Sequence, residues 1–273
     1  MRKKKHLIAI DLDGTLLTNN KDISQRTKQT IQKVVDNGHI VVIATGRSHR
    51  SSLHYYQSLD LNTAMINFNG AYVHHPKDKK WRGYYQPLPK DTVLNVIDAC
   101  YQMKVPNILL ESERHIFMEK LDQHIINFLR VKENDESLRI GNIKSDLNDD
   151  PTLMLIYPKQ EQVEKLNQVF NEFHAEAIHY RNWGAPSYMI EIVKKGIHKA
   201  IGVQTLAKYY NIPKERIIAF GDEDNDLEMI DYAGVGVAME NGISELKSIA
   251  DYVTKTNEED GVSVFLEEYL QIS

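Results

Sequence analysis

Residues 7–17 read LIAIDLDGTLL, and their reading sets the arrangement of everything that follows. An apolar run from His6 to Ile10 stops abruptly at Asp11 and Asp13, spaced two apart. A short apolar run closed by turn residues predicts a buried central strand. Carboxylates are costly to bury, so two at the carboxyl end of such a strand call for a cation, strong hydrogen bonds, or both. In an open parallel α/β sheet that end is where ligands bind. Gly14 lets the chain leave the strand steeply, and the Thr15 hydroxyl can brace the turn. A strand merely capped by two solvated aspartates is the plainer alternative, and the rest of the chain weakens it.

Moving outward, strand and helix signals alternate. Ser24 can cap a helix in which Thr27, Ile31, Val34 and Val35 share a face, and Gly38 ends it. His39–Ala44 (HIVVIA) predicts a second apolar strand, followed at once by Thr45, Gly46 and Arg47. A helix over 49–59 leads to a third strand, Ala64–Phe68 (AMINF), and then Asn69 and Gly70. Such alternation implies right-handed βαβ units and a parallel sheet. Between about Tyr85 and Met189 the style changes to helices, near 90–103 and 160–173, each followed by short strand-like runs: Asn107–Leu110, Thr152–Tyr157, Ile178–Arg181 and Tyr188–Val193. This predicts an α+β layer, with the polar stretch 132–151 as a loop. After Gly196 the first style returns, with a helix over about 197–210, the strand Arg216–Phe220 ending at Gly221 and Asp222, and a short strand Ala233–Ala238. The fold class is therefore α/β: a doubly wound, mostly parallel, Rossmann-like core from 1–84 and 190–273, interrupted by an inserted α+β domain over 85–189.

Composition narrows the class. The 273 residues suit one large or two modest domains, and 42% hydrophobic with 26% charged residues is ordinary for a globular protein. A net charge of −5 gives no basic field to attract nucleic acid. The run Lys3–Lys5 reads as a solvated tail, because the apolar segment behind it is too short for a signal peptide and meets Asp11. No apolar stretch approaches a membrane span. The single cysteine, Cys100, excludes an internal disulfide and suits core packing. The expectation is a cytoplasmic protein with no nucleic-acid or membrane partner and no obligate protein partner evident.

Four strand ends carry distinctive polar groups: Asp11 and Asp13, Thr45 and Gly46, Asn69 and Gly70, Gly221 and Asp222. A parallel sheet brings these ends to one edge, so Asp222 joins Asp11 and Asp13 as a third carboxylate. Three such groups together require a cation, and hard oxygen donors around a small site favour Mg²⁺. A metal with open positions suits a phosphate oxygen; the Thr45 hydroxyl and the Gly46 N–H form an anion site, and Lys199 offers a point charge. Each has a duller reading alone: Thr45 as a helix N-cap, Lys199 as an exposed lysine, the GDEDND run at 221–226 as an acidic helix start. Their joint order favours the site.

The segments Asp11-Leu12-Asp13-Gly14-Thr15, Thr45-Gly46-Arg47, Lys199 and Gly221–Asp226 together resemble the four motifs of the haloacid dehalogenase-like (HAD) hydrolase superfamily. The inserted module, with Asn69-Gly70-Ala71, resembles the Cof-type small-molecule phosphatases. One departure is His198-Lys199-Ala200, where that family commonly has Ser-Lys-Gly; the lysine stands. The resemblance implies a Mg²⁺-dependent phosphatase in which Asp11 is the nucleophile and forms an aspartyl-phosphate. Asp13 would be the acid and base for leaving group and water, its backbone carbonyl reaching the metal. Asp222 would complete the protein ligands. Thr45, Gly46, Lys199, Asn225 and the Leu12 amide would hold phosphoryl oxygens. Asp226 would position Lys199 or metal-bound water. Asp224 takes no role.

The insert is expected to act as a lid that selects a small phosphorylated metabolite, such as a sugar phosphate. Arg47 reads evenly as a substrate contact or a surface ion pair, and Asn69 and Gly70 as possible substrate contacts. Arg181, Asn182 and Trp183 are candidates for a lid loop, although Trp183 reads equally as buried. His74-His75, beside Pro76, predicts a solvated turn. Two alternatives stay open: a phosphomutase or phosphotransferase on the same core, and a non-catalytic phospho-metabolite-binding regulator. The latter is disfavoured because Asp11 and Asp13 are both present.

Overall fold

The computed structural model describes residues 4–81, 83–129, 131–132, 135–148 and 150–272. Lys3 of the basic run and positions 133, 134 and 149 of the polar stretch lie outside them. The chain forms two compact units, one running to Tyr84 and resuming at His198, the other spanning Tyr85–Ile197.

In chain order the first unit opens with β1 (Leu7–Ile10), α1 (Gln25–Asp36), β2 (Ile40–Ile43), α2 (His49–Ser58), β3 (Met65–Asn67) and β4 (Tyr72–His74), with β5 (Tyr84–Tyr85) at the boundary. The second unit contains α3 (Lys90–Gln102), β6 (Asn107–Glu111), β7 (Ile116–Met118), α4 (Gln123–Leu129), β8 (Leu138–Ile140), α5 (Ile143–Asp146), β9 (Leu153–Tyr157), α6 (Val163–Val169), β10 (Ile178–Asn182) and β11 (Ile190–Lys194). The first unit resumes with α7 (Lys199–Tyr209), β12 (Ile217–Gly221), α8 (Leu227–Tyr232), β13 (Val235–Ala238), α9 (Ser244–Ile249), β14 (Tyr252–Val253) and α10 (Gly261–Leu270).

In the first unit the strands lie in the order β14-β13-β12-β1-β2, and every pairing is parallel. All four residues of β1 are inaccessible to solvent. Ile8 and Ile10 point into one apolar layer with Ile31, Val34 and Leu266, from α1 and α10. Leu7 and Ala9 point into the other, with Val203, Leu206 and Met229 from α7 and α8. Helices on both faces explain why the strand is apolar throughout rather than alternating. Burying each such Leu or Ile contributes about 1.5–3 kcal/mol. Ser24 caps α1 as the sequence predicts, its side chain accepting from the Thr27 N–H at 3.0 Å.

The third apolar run departs from the expected full parallel strand. It meets the chain just beyond β2 through an isolated parallel bridge, Ala44 to Ile66, and turns back antiparallel into β4. The reason is local: Phe68 and Asn69 adopt left-handed φ of 50° and 53°, which reverses the chain after three strand residues.

The second unit has a sheet ordered β10-β11-β9-β6-β7-β8, antiparallel except between β7 and β8. Val93, Ile97 and Cys100 of α3 and Leu166 of α6 pack on one sheet face, against Ile108, Leu110, Met154 and Ile192. Two expectations are corrected. Residues 190–194 belong here rather than to the core, because β11 pairs with β10 and β9, and the boundary falls after Ile197. The polar stretch 132–151 contains β8 and α5, and buries Leu138, Ile143 and Leu147, single apolar residues scattered among charges. Cys100 is buried, and burial pushes its thiol up to about 12, as suits packing rather than reactivity.

Candidate active site

Because β12, β1 and β2 are adjacent and parallel, their carboxyl ends share one edge. The Asp11 amide extends the β1 ladder, donating to the Phe220 carbonyl at 3.1 Å, and so places its carboxylate beside the end of β12. Lys199, the first residue of α7, brings its Nζ to 2.7 Å from both Asp11 Oδ1 and Asp226 Oδ1. The other oxygen of Asp226 accepts the backbone N–H groups of Asp222 (3.1 Å) and Glu223 (3.2 Å). Thr15 donates its hydroxyl to Asp222 Oδ1 at 2.8 Å, a contact to a distant segment rather than the brace of its own turn that the sequence suggests. Gly14 has φ of +80°, and a Cβ there would overlap the Asp222 carboxylate. Glycine therefore serves both the turn and the approach of the two segments.

The electrostatics are one-sided. Asp11, Asp222 and Asp226 offer oxygens within 4.8 Å of one another, and all three are buried. Among the described residues Lys199 is the one ammonium hydrogen-bonded to these carboxylates, and it is fully buried. Burial raises the Asp11 carboxyl well above its usual range; Lys199 opposes this, while Asp226 and Asp222 reinforce it. Asp222 is pushed up to about 7, by burial first and by the Asp226 charge, against the pull of Thr15 and Lys199. Burial disfavours the Lys199 charge, yet Asp11 and Asp226 hold its pKa above the ordinary lysine value. A surplus of buried negative charge on hard oxygen donors fits a divalent cation. Asp226 has both oxygens committed to Lys199 and backbone amides, which leaves Asp11 and Asp222 as the carboxylates suited to bind one.

Asp13 has a different setting. Its side chain is 42% exposed and is gripped by Arg47, Nε to Oδ2 and Nη2 to Oδ1 both at 2.6 Å, with Lys21 Nζ at 2.9 Å from Oδ1. Burial works to raise this carboxyl, but the hydrogen bonds and charges of Arg47 and Lys21 prevail and hold it at about 2. Arg47 is thus an ion-pair partner of Asp13, one of the two readings its sequence allowed.

Thr45 is buried, and its Oγ1 accepts the Arg47 N–H at 3.1 Å. The helix cap proves to be Ser48, so Thr45 and Gly46 lie on the loop before α2 rather than at its first turn. Leu12 has a buried side chain, and its amide lies in the turn between Asp11 and Asp13. Asn225 donates to Asn69 Oδ1 at 2.9 Å, and a Cβ on Gly46 would stand 3.0 Å from that same oxygen. Gly70 is buried, and a Cβ there would overlap the His198 carbonyl, so glycine permits close packing against the start of α7.

His74 is also corrected. It is 8% exposed, its Nε2 lies 2.9 Å from Asn67 Oδ1, and burial pushes its imidazole down to about 3. Pairing of β4 with β3 carries it inward, which the neighbouring His75 and Pro76 disguised. Sequence reasoning missed Lys21, Tyr55 and Asn67, whose contacts appear only on folding. In the second unit Trp183 is 47% exposed rather than buried, with the Arg181 guanidinium 4.9 Å above its ring and Glu191 accepting its indole N–H at 3.0 Å.

A doubly wound parallel sheet with a buried carboxylate–lysine cluster on its carboxyl edge, interrupted by an α+β insertion, defines an α/β protein whose sheet edge is suited to a cation and an anionic ligand. Comparison with known proteins is more specific: residues 8–266 match the haloacid dehalogenase-like hydrolase family, and the chain belongs to it. It is 47% identical over 272 residues to the 5-amino-6-(5-phospho-D-ribitylamino)uracil phosphatase YitU of Bacillus subtilis (strain 168), covering 100% of both chains. A second phosphatase of that description from the same organism, YcsE, is 29% identical over 94% of this chain and 92% of its own. A crystal structure of a haloacid dehalogenase-like hydrolase from Bacteroides thetaiotaomicron superposes with a TM-score of 0.85 at 28% identity, covering 97% of this chain and 100% of the other. The protein is a HAD-superfamily phosphatase of the Cof type.

Proposed function

We propose that the enzyme is a Mg²⁺-dependent phosphatase working through an aspartyl-phosphate on Asp11, and that its substrate is a phosphorylated ribitylaminopyrimidine. The substrate reading rests on full-length similarity at 47% identity to a phosphatase named for 5-amino-6-(5-phospho-D-ribitylamino)uracil. The catalytic reading rests above all on the buried Asp11–Lys199–Asp226 chain beside Asp222.

In this reading an Asp11 oxygen attacks phosphorus, the bond to the leaving oxygen breaks, and that oxygen takes a proton from Asp13, which carries one only after leaving the Arg47 and Lys21 contacts that hold it ionised. Asp13 then removes a proton from the water that attacks the aspartyl-phosphate, returning Asp11 and releasing phosphate. Lys199 stays cationic at neutral pH and orients the nucleophile, with Asp226 fixing the ammonium. Thr45, Gly46, Asn225 and the Leu12 amide take phosphoryl oxygens, preorganised for the charge that develops there. Asp11, Asp222 and the Asp13 carbonyl would hold Mg²⁺, which when bound offsets the surplus carboxylate charge and polarises the phosphoryl group.

The test is phosphate release from 5-amino-6-(5-phospho-D-ribitylamino)uracil and a panel of sugar, nucleotide and cofactor phosphates, with Mg²⁺ and with excess chelator. Preferred turnover of the ribitylaminopyrimidine that stops in chelator supports both parts. Full activity in chelator sinks the metal reading, and preference for an unrelated phosphoester sinks the substrate reading alone.

A further inference from the structure

Asn69 is half-buried and stands between two segments that the reading above assigns to the phosphoryl group. Its Oδ1 accepts Asn225 Nδ2 at 2.9 Å. That bond fixes the nitrogen end of the Asn225 amide and leaves its second proton to donate elsewhere. On the other side the Asn69 amide lies against Gly46, where a Cβ would stand 3.0 Å from Oδ1 and 3.3 Å from Nδ2. One side chain thus meets the segment that follows β2 and the segment that follows β12.

The backbone is built to deliver it. Asn69 N–H donates to the Thr45 carbonyl and Phe68 N–H to the Arg47 carbonyl, both at 3.1 Å, so the turn after β3 grips the Thr45–Arg47 loop at its two ends. Phe68 and Asn69 hold φ of 50° and 53° in succession. Asparagine tolerates that region, whereas a bulky aromatic enters it only where its surroundings impose it, and Phe68 is 1% exposed. Asn67 ties the same loop to α2, its Nδ2 donating to the Arg47 carbonyl and to Ser52 Oγ, each at 2.9 Å. The loop is anchored through the backbone, and Asn69 carries that anchorage across to Asn225.

We propose that Asn69 is a positioning residue for phosphate: it aims the Asn225 amide and sets its place against the Thr45–Gly46 loop, so that donors from both segments address one phosphoryl group. The proposal rests on the reading that Thr45, Gly46 and Asn225 take phosphoryl oxygens. Donors to a developing oxyanion act by being fixed beforehand, and a supporting side chain supplies that precision.

The left-handed φ makes a clean test, because glycine keeps the turn while deleting the amide. The full-length enzyme with Mg²⁺ is assayed for kcat/KM on 4-nitrophenyl phosphate, whose leaving group needs no proton, and for competitive inhibition by inorganic phosphate. The variants are Asn69→Gly, Asn69→Ala, Asn225→Ala and the double variant Asn69→Gly/Asn225→Ala, with thermal melts to show that each is folded at the assay temperature. Removing one oxyanion donor costs about 10²–10³-fold, so mis-aiming Asn225 in Asn69→Gly should lower kcat/KM by about 10-fold. Inhibition by phosphate should weaken by about 3-fold to 10-fold in the same variant. The double variant should match Asn225→Ala within about 2-fold, because aim has no effect once the aimed group is gone. Additive losses in the double variant, or wild-type kinetics in Asn69→Gly, would each overturn the proposal. So would a loss confined to Asn69→Ala, which would assign the effect to the turn and not to the amide. If Asn225→Ala keeps wild-type turnover and phosphate inhibition, the reading of Asn225 as a phosphate donor fails. If it loses both while Asn69→Gly loses neither, only the positioning role fails.

Discussion

Asp11 and Asp13 stand two residues apart, and the fold gives them opposite surroundings. Asp11 continues β1 into the buried edge of the sheet, where desolvation and two neighbouring carboxylates push it upward against the pull of Lys199. Asp13 has turned out of the sheet, remains 42% exposed, and meets two cations that hold it at about 2. One chemical group placed in two environments acquires two characters, and such divergence marks a division of labour between titratable residues. The side short of positive charge is the one fitted to receive a cation. The side rich in it keeps a carboxylate oriented at the site's outer rim.

The largest effect should come from removing the charge on the buried side. Asp11→Asn should lower turnover by at least about 10⁴-fold with its melting temperature unchanged or raised, because attack is abolished while a costly buried charge disappears. Near-normal phosphate release in that variant breaks the assignment of Asp11 as nucleophile. Lys199→Met comes next. It strands the carboxylates of Asp11 and Asp226, so activity should fall by about 10²–10³-fold and stability by about 3–5 kcal/mol, read by kinetics and by denaturant melts. Retained stability would mean that the two carboxylates do not depend on this ammonium.

Asp222 sharpens the contrast through pH. Its folded value of about 7 lies above the ordinary 3.8, so proton binding favours the folded state. That contribution is full below about pH 4 and is lost as pH rises through 7. In chelator, the wild-type melting temperature should therefore fall between pH 5 and pH 8, by the equivalent of a few kcal/mol. Asp222→Asn should flatten most of that slope and melt higher than wild type at pH 8. An unchanged slope would place the pH dependence on Asp11 alone. The smallest effect belongs to Asp224, exposed on the same acidic run, where Asp224→Asn should change kcat/KM by less than about 2-fold.

Much of this contrast was legible in sequence. The apolar run of β1, the aspartates at its end, and the strand ends at Thr45 and Asp222 follow from pattern and from parallel-sheet topology. Lys21 and Tyr55 were not legible: a lysine in a polar turn and a tyrosine on a helix have no local signature, and the bonds that tie them in run from 8 residues, Lys21 to Asp13, to 34, Tyr55 to Lys21. His74 misled because a His-His-Pro sequence resembles a turn, while its inward placement depends on β4 pairing with β3. The boundary of the inserted unit shifted to 197/198 for a similar reason, since an apolar run such as Ile190–Lys194 does not state which sheet it joins.

The sequence by itself determined which residues could do chemistry and which edge of the sheet would carry them. Strand periodicity and the cost of burying carboxylates are local matters, readable residue by residue. Only the tertiary structure decided how each charge is compensated: Lys199 to Asp11 and Asp226, Arg47 and Lys21 to Asp13, Thr15 to Asp222. Compensation depends on distance and desolvation, and neither exists until segments as far apart as Asp11 and Lys199 are folded against each other.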